Sequence, residues 1–147
     1  MTHNDNLRDG NCFCGEVTFE IELPTLFCGH CHCSMCRKPH GAGFVTWTAV
    51  PPERFRIVSG EDHLRTYESS EHGRRQFCDQ CGTQLFCFHE KPNGAAPDLI
   101  DITLASLSEP IDRSPDVHFH YDSKADWTIV NDDLPKLGGE TGTEPLS

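Results

Sequence analysis

The sequence lacks a hydrophobic stretch that approaches the roughly 18 residues needed to cross a bilayer, which predicts a protein without a membrane span. Its first ten residues, MTHNDNLRDG, have no apolar core, which predicts a chain without a secretory signal peptide. Basic residues are scarce, because 12 Lys and Arg stand against 23 Asp and Glu among 147 residues, for a formal net charge of −11. Since nucleic acids and anionic membranes attract basic surfaces, we expect neither as a partner.

Apolar residues make up only 36% of the chain, whereas cysteine is abundant, with nine residues. An odd number of cysteines cannot be paired completely in internal disulfides. Without a signal peptide we expect a cytoplasmic protein, and the cytoplasm keeps thiols reduced. Because clustered reduced thiols are most often metal ligands, the composition predicts a metal-binding protein.

The periodicity predicts a mainly β fold of several short strands with little helix. Val17, Phe19, Ile21 and Leu23 alternate with polar residues, which is typical of a half-buried strand. Further strands are predicted at residues 44–50, 55–58, 64–67, 74–77, 85–88, 99–104 and 117–121. We expect one domain over residues 10–135 and flexible ends at residues 1–9 and 138–147. Ser34 is expected to cap one short helical turn.

The first cysteine constellation combines Cys12-x-Cys14 with Cys78-x-x-Cys81. The pair at Cys78 and Cys81 brackets a tight turn ending in Gly82, a pattern typical of a zinc knuckle. Zinc prefers four thiolates in a tetrahedron, and a site with four protein ligands is closed. The spacing therefore predicts a structural zinc; the alternative is four buried thiols that act as small apolar residues.

The second constellation is Cys31-His32-Cys33-Ser34-Met35-Cys36. Three thiolates leave one position of a tetrahedral zinc open, which is the arrangement of catalytic sites. The spacing alone leaves an alternative open, in which a fourth protein ligand closes the site and makes it structural. The candidates for that ligand are Cys28, His30, His32, His40 and His118.

Two basic residues, Arg37 and Lys38, follow the second constellation directly. In an acidic chain, a basic pair beside a metal suits the carboxylates of a small anionic substrate. The alternative is that both are ordinary solvated charges, as most exposed Arg and Lys are.

Three ordered motifs then carry a family resemblance. Residues 10–17, GNCFCGEV, resemble G-x-C-x-C-G-x-V; residues 31–41, CHCSMCRKPHG, resemble C-H-C-S-x-C-R-K-x-x-G; and residues 75–85, RQFCDQCGTQL, resemble R-x-F-C-x-x-C-G-T-x-L. The chain thereby resembles the glutathione-dependent formaldehyde-activating enzyme (GFA) family over about residues 10 to 130.

The resemblance implies a tent-like zinc-binding fold of short antiparallel strands with two zinc ions per chain. It implies a structural zinc on Cys12, Cys14, Cys78 and Cys81, and a functional zinc on Cys31, Cys33 and Cys36. The implied activity is a carbon–sulfur lyase reaction, the condensation of formaldehyde with glutathione to S-(hydroxymethyl)glutathione. The competing hypothesis is a non-enzymatic zinc-binding module in which both metals are structural.

Overall fold

The computed structural model describes residues 5–146, which form a mainly β protein with one short α-helix in that range. The elements in chain order are β1 Leu7–Asn11, β2 Thr18–Glu22, β3 Cys28–Cys31, α1 Ser34–His40, β4 Val45–Val50, β5 Phe55–Ser59, β6 Leu64–Glu68, β7 Gly73–Cys78, β8 Gln84–His89, β9 Ile100–Thr103, β10 His118–Phe119, β11 Leu137–Gly138 and β12 Glu144–Pro145. Most strand pairs with a defined register are antiparallel, and the pairing of β10 with β3 is parallel. The predicted mainly β fold of short strands with little helix is confirmed.

Every strand predicted from the hydrophobic pattern has a counterpart in the structure, from β2 to β10. Four strands carry no such pattern and were not predicted, namely β1, β3 and the two-residue strands β11 and β12. Strand β1 is polar and has the sequence LRDGN, and β3 is made of Cys, Gly and His. The predicted role of Ser34 is wrong, because the residue that caps α1 is Cys33 and its side chain makes no capping hydrogen bond.

The chain divides into two compact units. The first unit contains the chain up to Leu26 together with Thr48–Asp112, and the second contains Phe27–Trp47 together with the chain from Arg113 onward. The single domain predicted for residues 10–135 stays a prediction, as does the flexibility of residues 1–9 and 138–147. Residues 1–4 and 147 of those ends lie outside the described part. No helix within residues 5–146 has the length and apolar character to cross a bilayer.

In the first unit, β1, β2 and β5 form an antiparallel sheet in the order β1-β2-β5. A second antiparallel run has the order β9-β8-β7-β6. The buried core contains Phe19 of β2 and Phe86 of β8, whose rings meet edge to face with centroids 4.9 Å apart. Such aromatic pairs stabilise a core beyond the area that they bury. The core also contains Cys12 and Cys78, so two cysteines of the first constellation are part of the packed interior.

In the second unit, β3 lies between β10 and β4. The parallel pairing of β3 with β10 brings Gly29 against Val117 and Phe119. A Cβ atom at position 29 would lie 2.6 Å from the Phe119 ring and 2.7 Å from a Val117 methyl group, so only glycine allows this approach. The close pairing brings His118 beside His30 in register.

Helix α1 follows β3 after two extended residues and carries the last cysteine of the second constellation. The backbone N–H groups of Cys36 and Arg37 both donate to the Cys33 carbonyl and start the helix. It ends at Gly41, whose N–H donates to the Lys38 carbonyl. The three cysteines of the second constellation therefore lie at the end of a strand, at the helix cap and in the first turn of the helix.

We expect Phe19→Ala to lower the free energy of unfolding by about 3–5 kcal/mol, because truncating a fully buried aromatic ring loses apolar burial and leaves a cavity. Phe19 is 1% exposed, whereas Phe13 is 91% exposed. The matched control Phe13→Ala should therefore stay within about 0.5 kcal/mol of the wild type. Urea denaturation of the zinc-loaded variants measures both, and similar losses for the two variants would contradict this account of the core.

Candidate metal centres

The first cluster is assembled from two segments of the first unit. Cys12 directly follows β1 and Cys14 lies two residues further on, while Cys78 ends β7 and Cys81 lies in the turn before β8. That turn is closed by the N–H of Gly82, which donates to the Cys78 carbonyl at 2.8 Å. Gly82 has a φ of 80°, a left-handed conformation that favours glycine. The sequence CDQCG therefore forms the tight knuckle that its spacing predicts.

The four sulfur atoms of Cys12, Cys14, Cys78 and Cys81 all lie within 4.8 Å of one another. Cys14 Sγ is 3.6 Å from Cys12 Sγ and 3.8 Å from Cys78 Sγ. In a tetrahedral zinc site with Zn–S bonds of 2.3 Å, neighbouring sulfurs are about 3.8 Å apart. The spacing and the donor chemistry therefore fit a zinc ion with four protein ligands.

The surroundings of this cluster also suit a cation. The N–H of Val17 points at Cys12 Sγ at 3.3 Å, a contact that favours a thiolate. Burial raises the pKa of the Cys78 thiol, because desolvation penalises its charged form. Such a thiol ionises readily only beside a positive charge, and a bound divalent metal is the strongest local source of one.

The second cluster lies in the second unit, where Cys31 ends β3, Cys33 caps α1 and Cys36 is in the first turn of the helix. Their three sulfur atoms lie within 4.8 Å of one another, and Cys31 Sγ is 3.5 Å from Cys33 Sγ. Cys31 and Cys33 project to the same side because side chains two residues apart in extended chain share a face. The helix then turns Cys36 back toward them.

Hydrogen bonds within the cluster shift the pKa values of two of its thiols. Hydrogen bonds from Cys31 and Cys36 lower the pKa of the Cys33 thiol, because they stabilise its thiolate. The hydrogen bonds that Cys31 makes to Cys33 and Cys36 raise the pKa of the Cys31 thiol. The cluster by itself therefore favours one thiolate held by protonated neighbours, and full ionisation of all three needs a cation.

None of the residues considered as a fourth ligand joins this cluster. Within residues 5–146, the group of donor atoms mutually within 4.8 Å contains three sulfurs and no further Cys, His, Asp or Glu. The excluded candidates are Cys28, His30, His32, His40 and His118, all of which lie in the described part. Their side chains are engaged elsewhere: His30 Nδ1, for example, is 2.8 Å from Thr46 Oγ1, and the His40 ring meets Trp47 edge to face.

His32 stands between two of the clustered cysteines but projects to the opposite side of the extended chain. It is completely buried, and its Nε2 is 2.8 Å from Nδ1 of His118, which is 1% exposed. Burial, together with the charge of His118, lowers the pKa of His32 to about 4. His118 in turn contacts Asp132, and its hydrogen bond lowers the pKa of that carboxyl.

These contacts are the part of the site that sequence reasoning missed. The sequence indicates His118 only as a distant candidate ligand, and Asp132 belongs to no motif. The period-two geometry of Cys31-His32-Cys33 was the available signal, because it places His32 on the face opposite the sulfurs. Nothing in the sequence identified the partner on that face.

The two basic residues after the cluster have different surroundings. The Arg37 guanidinium donates from Nε to the His32 carbonyl at 3.0 Å and from Nη2 to the Ser123 carbonyl at 3.3 Å, so it braces the backbone. The exposed Lys38 lines a surface pocket of about 220 Å³ with Trp127, whose side chain is 68% exposed. The other lining residues are Arg37, Gly41 and Ala42.

Comparison with known proteins identifies relatives of this chain. The family model described as glutathione-dependent formaldehyde-activating enzyme matches residues 7–123. A protein of Halomonas elongata, provisionally named glutathione-dependent formaldehyde-activating enzyme, is 28% identical over 131 residues, which cover 84% of this chain and 81% of that protein. A protein of Aspergillus flavus with the same provisional name is 33% identical over 55% of this chain and 44% of its own length.

Two further matches extend the comparison. A protein of Schizosaccharomyces pombe, named as an uncharacterised lyase, is 33% identical over 65% of this chain and 66% of its own length. This chain therefore spans less than two thirds of either fungal relative. A crystal structure of a Rhodobacter sphaeroides protein superimposes with a TM-score of 0.56 and 25% identity, over 71% of this chain and 91% of that one.

We expect Cys78→Ser to lower the melting temperature more than Cys36→Ser. Cys78 belongs to sulfurs that join segments 64 residues apart, whereas the second cluster spans six residues and closes no long loop. Thermal melts of both variants, each with its zinc content measured, test the difference. Equal destabilisation would contradict this division between the clusters.

Proposed function

The chain belongs to the glutathione-dependent formaldehyde-activating enzyme family, and from that membership we propose that it is a zinc-dependent carbon–sulfur lyase acting on aldehyde adducts of glutathione or another small thiol. One observation carries the proposal. Cys31, Cys33 and Cys36 bring three sulfurs within 4.8 Å of one another, and no further Cys, His, Asp or Glu of the described residues joins them. A three-ligand set with an open position is the pattern of catalytic rather than structural zinc sites.

Two zinc ions per chain are proposed. Cys12, Cys14, Cys78 and Cys81 would hold the structural ion, and Cys31, Cys33 and Cys36 the functional one. When bound, an ion held by three thiolates supplies an open position that favours the thiolate form of a substrate over its thiol. The reduced thiols that this proposal requires suit a cytoplasmic protein.

The residues beside the second cluster would bind the substrate. Lys38 is the better candidate for contact with a substrate carboxylate, because Arg37 already donates two N–H groups to backbone carbonyls. Arg37 then acts by bracing the segment, and it lines the same pocket as Lys38. Trp127 offers an exposed ring on which the peptide backbone of glutathione can pack.

The proposed reaction balances without a redox partner. In the condensing direction the thiol sulfur bonds to the carbonyl carbon of the aldehyde, and the thiol proton ends on the former carbonyl oxygen. In the lyase direction the same carbon–sulfur bond breaks and the proton returns to sulfur. Because the reaction joins two small molecules, holding them side by side is itself a large part of the catalysis.

Metal analysis tests the foundation of this proposal. We expect two zinc ions per wild-type chain and one in Cys36→Ser. The substitution leaves the second site with two thiolates and lowers its zinc affinity, whereas the first site keeps all four. Elemental analysis of protein purified without chelators gives the ratio. A wild-type chain that is metal-free and fully stable to heat would overturn the assignment of both clusters.

Calorimetry then tests the substrate. Zinc-loaded wild type is expected to bind glutathione and to convert it in the presence of formaldehyde, whereas Cys33→Ser should do neither, because it lacks one of the three sulfurs. Two bound zinc ions with no heat of glutathione binding and no formaldehyde-dependent turnover would favour the non-enzymatic zinc module instead.

Lys38→Gln is expected to weaken glutathione binding about three- to tenfold, the cost of one exposed charge-assisted hydrogen bond. Lys91→Gln is the matched control, because it removes the same charge from a lysine that pairs with Asp98 in the first unit. The two dissociation constants are compared at one ionic strength. Equal weakening in both variants would show a general charge effect and remove Lys38 from the binding site.

A further inference from the structure

Three hydrogen-bonded side chains, two of them buried, lie behind the second cysteine cluster. His32 Nε2 lies 2.8 Å from His118 Nδ1, and His118 Nε2 lies 2.9 and 3.0 Å from the two carboxylate oxygens of Asp132. Both histidines are essentially inaccessible, while the Asp132 side chain is 41% exposed. These hydrogen bonds therefore link the surface carboxylate of Asp132 to His32, which is flanked by two of the three clustered cysteines.

The chemistry of the partners determines where the protons lie when both rings are neutral. A carboxylate only accepts hydrogen bonds, so His118 must carry its proton on Nε2. His118 Nδ1 is then an acceptor, and His32 must donate to it from Nε2. His32 Nδ1 consequently carries no proton. Asp132 thus sets the tautomer of a ring that it does not touch, as carboxylate–histidine pairs do beside metal centres.

The rings are also held in orientation by aromatic neighbours. The His32 ring packs against Tyr121 edge to face, with centroids 5.4 Å apart, and against Phe44 at 5.1 Å. The His118 ring contacts the same Tyr121 at 5.7 Å. His32 Nδ1 is buried without a hydrogen-bond partner within the described residues, so the bond from Nε2 is the only polar contact that orients this ring.

The backbone of His32 is fixed from two sides as well. Its N–H donates to the Phe119 carbonyl at 3.0 Å, and its carbonyl accepts from Arg37 Nε at 3.0 Å. His32 is therefore anchored by its main chain and by its side chain. Cys31 and Cys33 are its direct neighbours. A change in the His32 backbone conformation would therefore change the direction in which both sulfurs project.

We propose that His118 and Asp132 are positioning residues for the second metal centre, which act by holding His32 as the Nε2-protonated tautomer and thereby keep Cys31 and Cys33 convergent. The inference rests on the proposed function, because it assumes that the second cluster binds zinc. It assigns a role to two residues outside the cysteine motifs, neither of which is itself a ligand.

The first experiment reads the tautomers without any mutation. Long-range 1H–15N correlation spectra of zinc-loaded, 15N-histidine-labelled protein at pH 8 distinguish a protonated ring nitrogen from a bare one. We expect Nε2–H with bare Nδ1 for both His32 and His118. A proton on Nδ1 of His32 would overturn the inference.

The second experiment uses Asp132→Asn, with Asp133→Asn as the matched control. An asparagine keeps the size of Asp132 and an acceptor for the Leu134 N–H, but its amide also donates and so permits the other tautomer. Asp133 is the exposed neighbour, and its change removes the same charge. Loss of the second zinc to a chelator is expected to be about tenfold faster in Asp132→Asn than in either the control or the wild type.

The cobalt-substituted protein gives a readout that simple destabilisation would not move. A change in the thiolate-to-cobalt absorption of the second site in Asp132→Asn, with unchanged absorption from the first site, supports the inference. Zinc release and cobalt spectra that match the wild type overturn it and leave the proposed function standing. A wild-type chain that binds only one zinc overturns the proposed function, and this inference with it.

Discussion

Cys14 Sγ and Cys78 Sγ lie 3.8 Å apart, although 64 residues separate them in the chain. Sulfur atoms this close cannot all be ionised unless a cation balances their charge. The convergence of the thiols therefore links the local structure to the binding of a cation. In the first unit the constraint joins the end of β1 to the turn between β7 and β8, directly beside the core formed by Phe19 and Phe86. Metal binding at such a place is coupled to folding, because the ligands meet only in the folded chain.

The second cluster obeys the same electrostatic constraint with a different local structure. Its three cysteines are neighbours in sequence, and the change from extended chain to helix at Cys33 is enough to make their sulfurs converge. The cluster therefore does not need distant segments for its sulfurs. It uses them instead for orientation, through Phe119, His118 and Asp132, which act on His32 rather than on the cysteines.

This division of labour fits the two kinds of zinc site. A closed four-thiolate site satisfies the metal completely and serves stability, whereas a site with three ligands must stay incomplete and still hold its shape. Incomplete sites depend on neighbouring hydrogen bonds to keep their ligands in place. In the proposed second zinc site the buried histidines would meet that requirement without occupying the open position, since their nitrogen atoms lie outside the group of converging sulfurs.

The sequence was sufficient to predict the mainly β fold and the membership of both cysteine clusters, because these are local properties. Alternation of apolar and polar residues, as in Val17 to Leu23, reports a strand whatever it packs against. Cysteines at i and i+2 or i+3 can converge with little help from the rest of the chain. The strands β1 and β3 escaped prediction because their pairing partners hold them, and no apolar pattern of their own does.

Only the tertiary structure decided that no further Cys, His, Asp or Glu of the described residues joins the second cluster. Cys28, His30 and His40 are as close in sequence as true ligands would be, but none joins the cluster. Cys28 and His30 are an odd number of residues from Cys31 on β3 and so lie on its opposite face, and the His40 ring of α1 packs against Trp47. The tertiary structure also brought His118 to His32 across 86 positions of the chain, and with His118 came its partner Asp132. Contacts at that separation depend on how β10 pairs with β3, and residue spacing holds no information about that pairing.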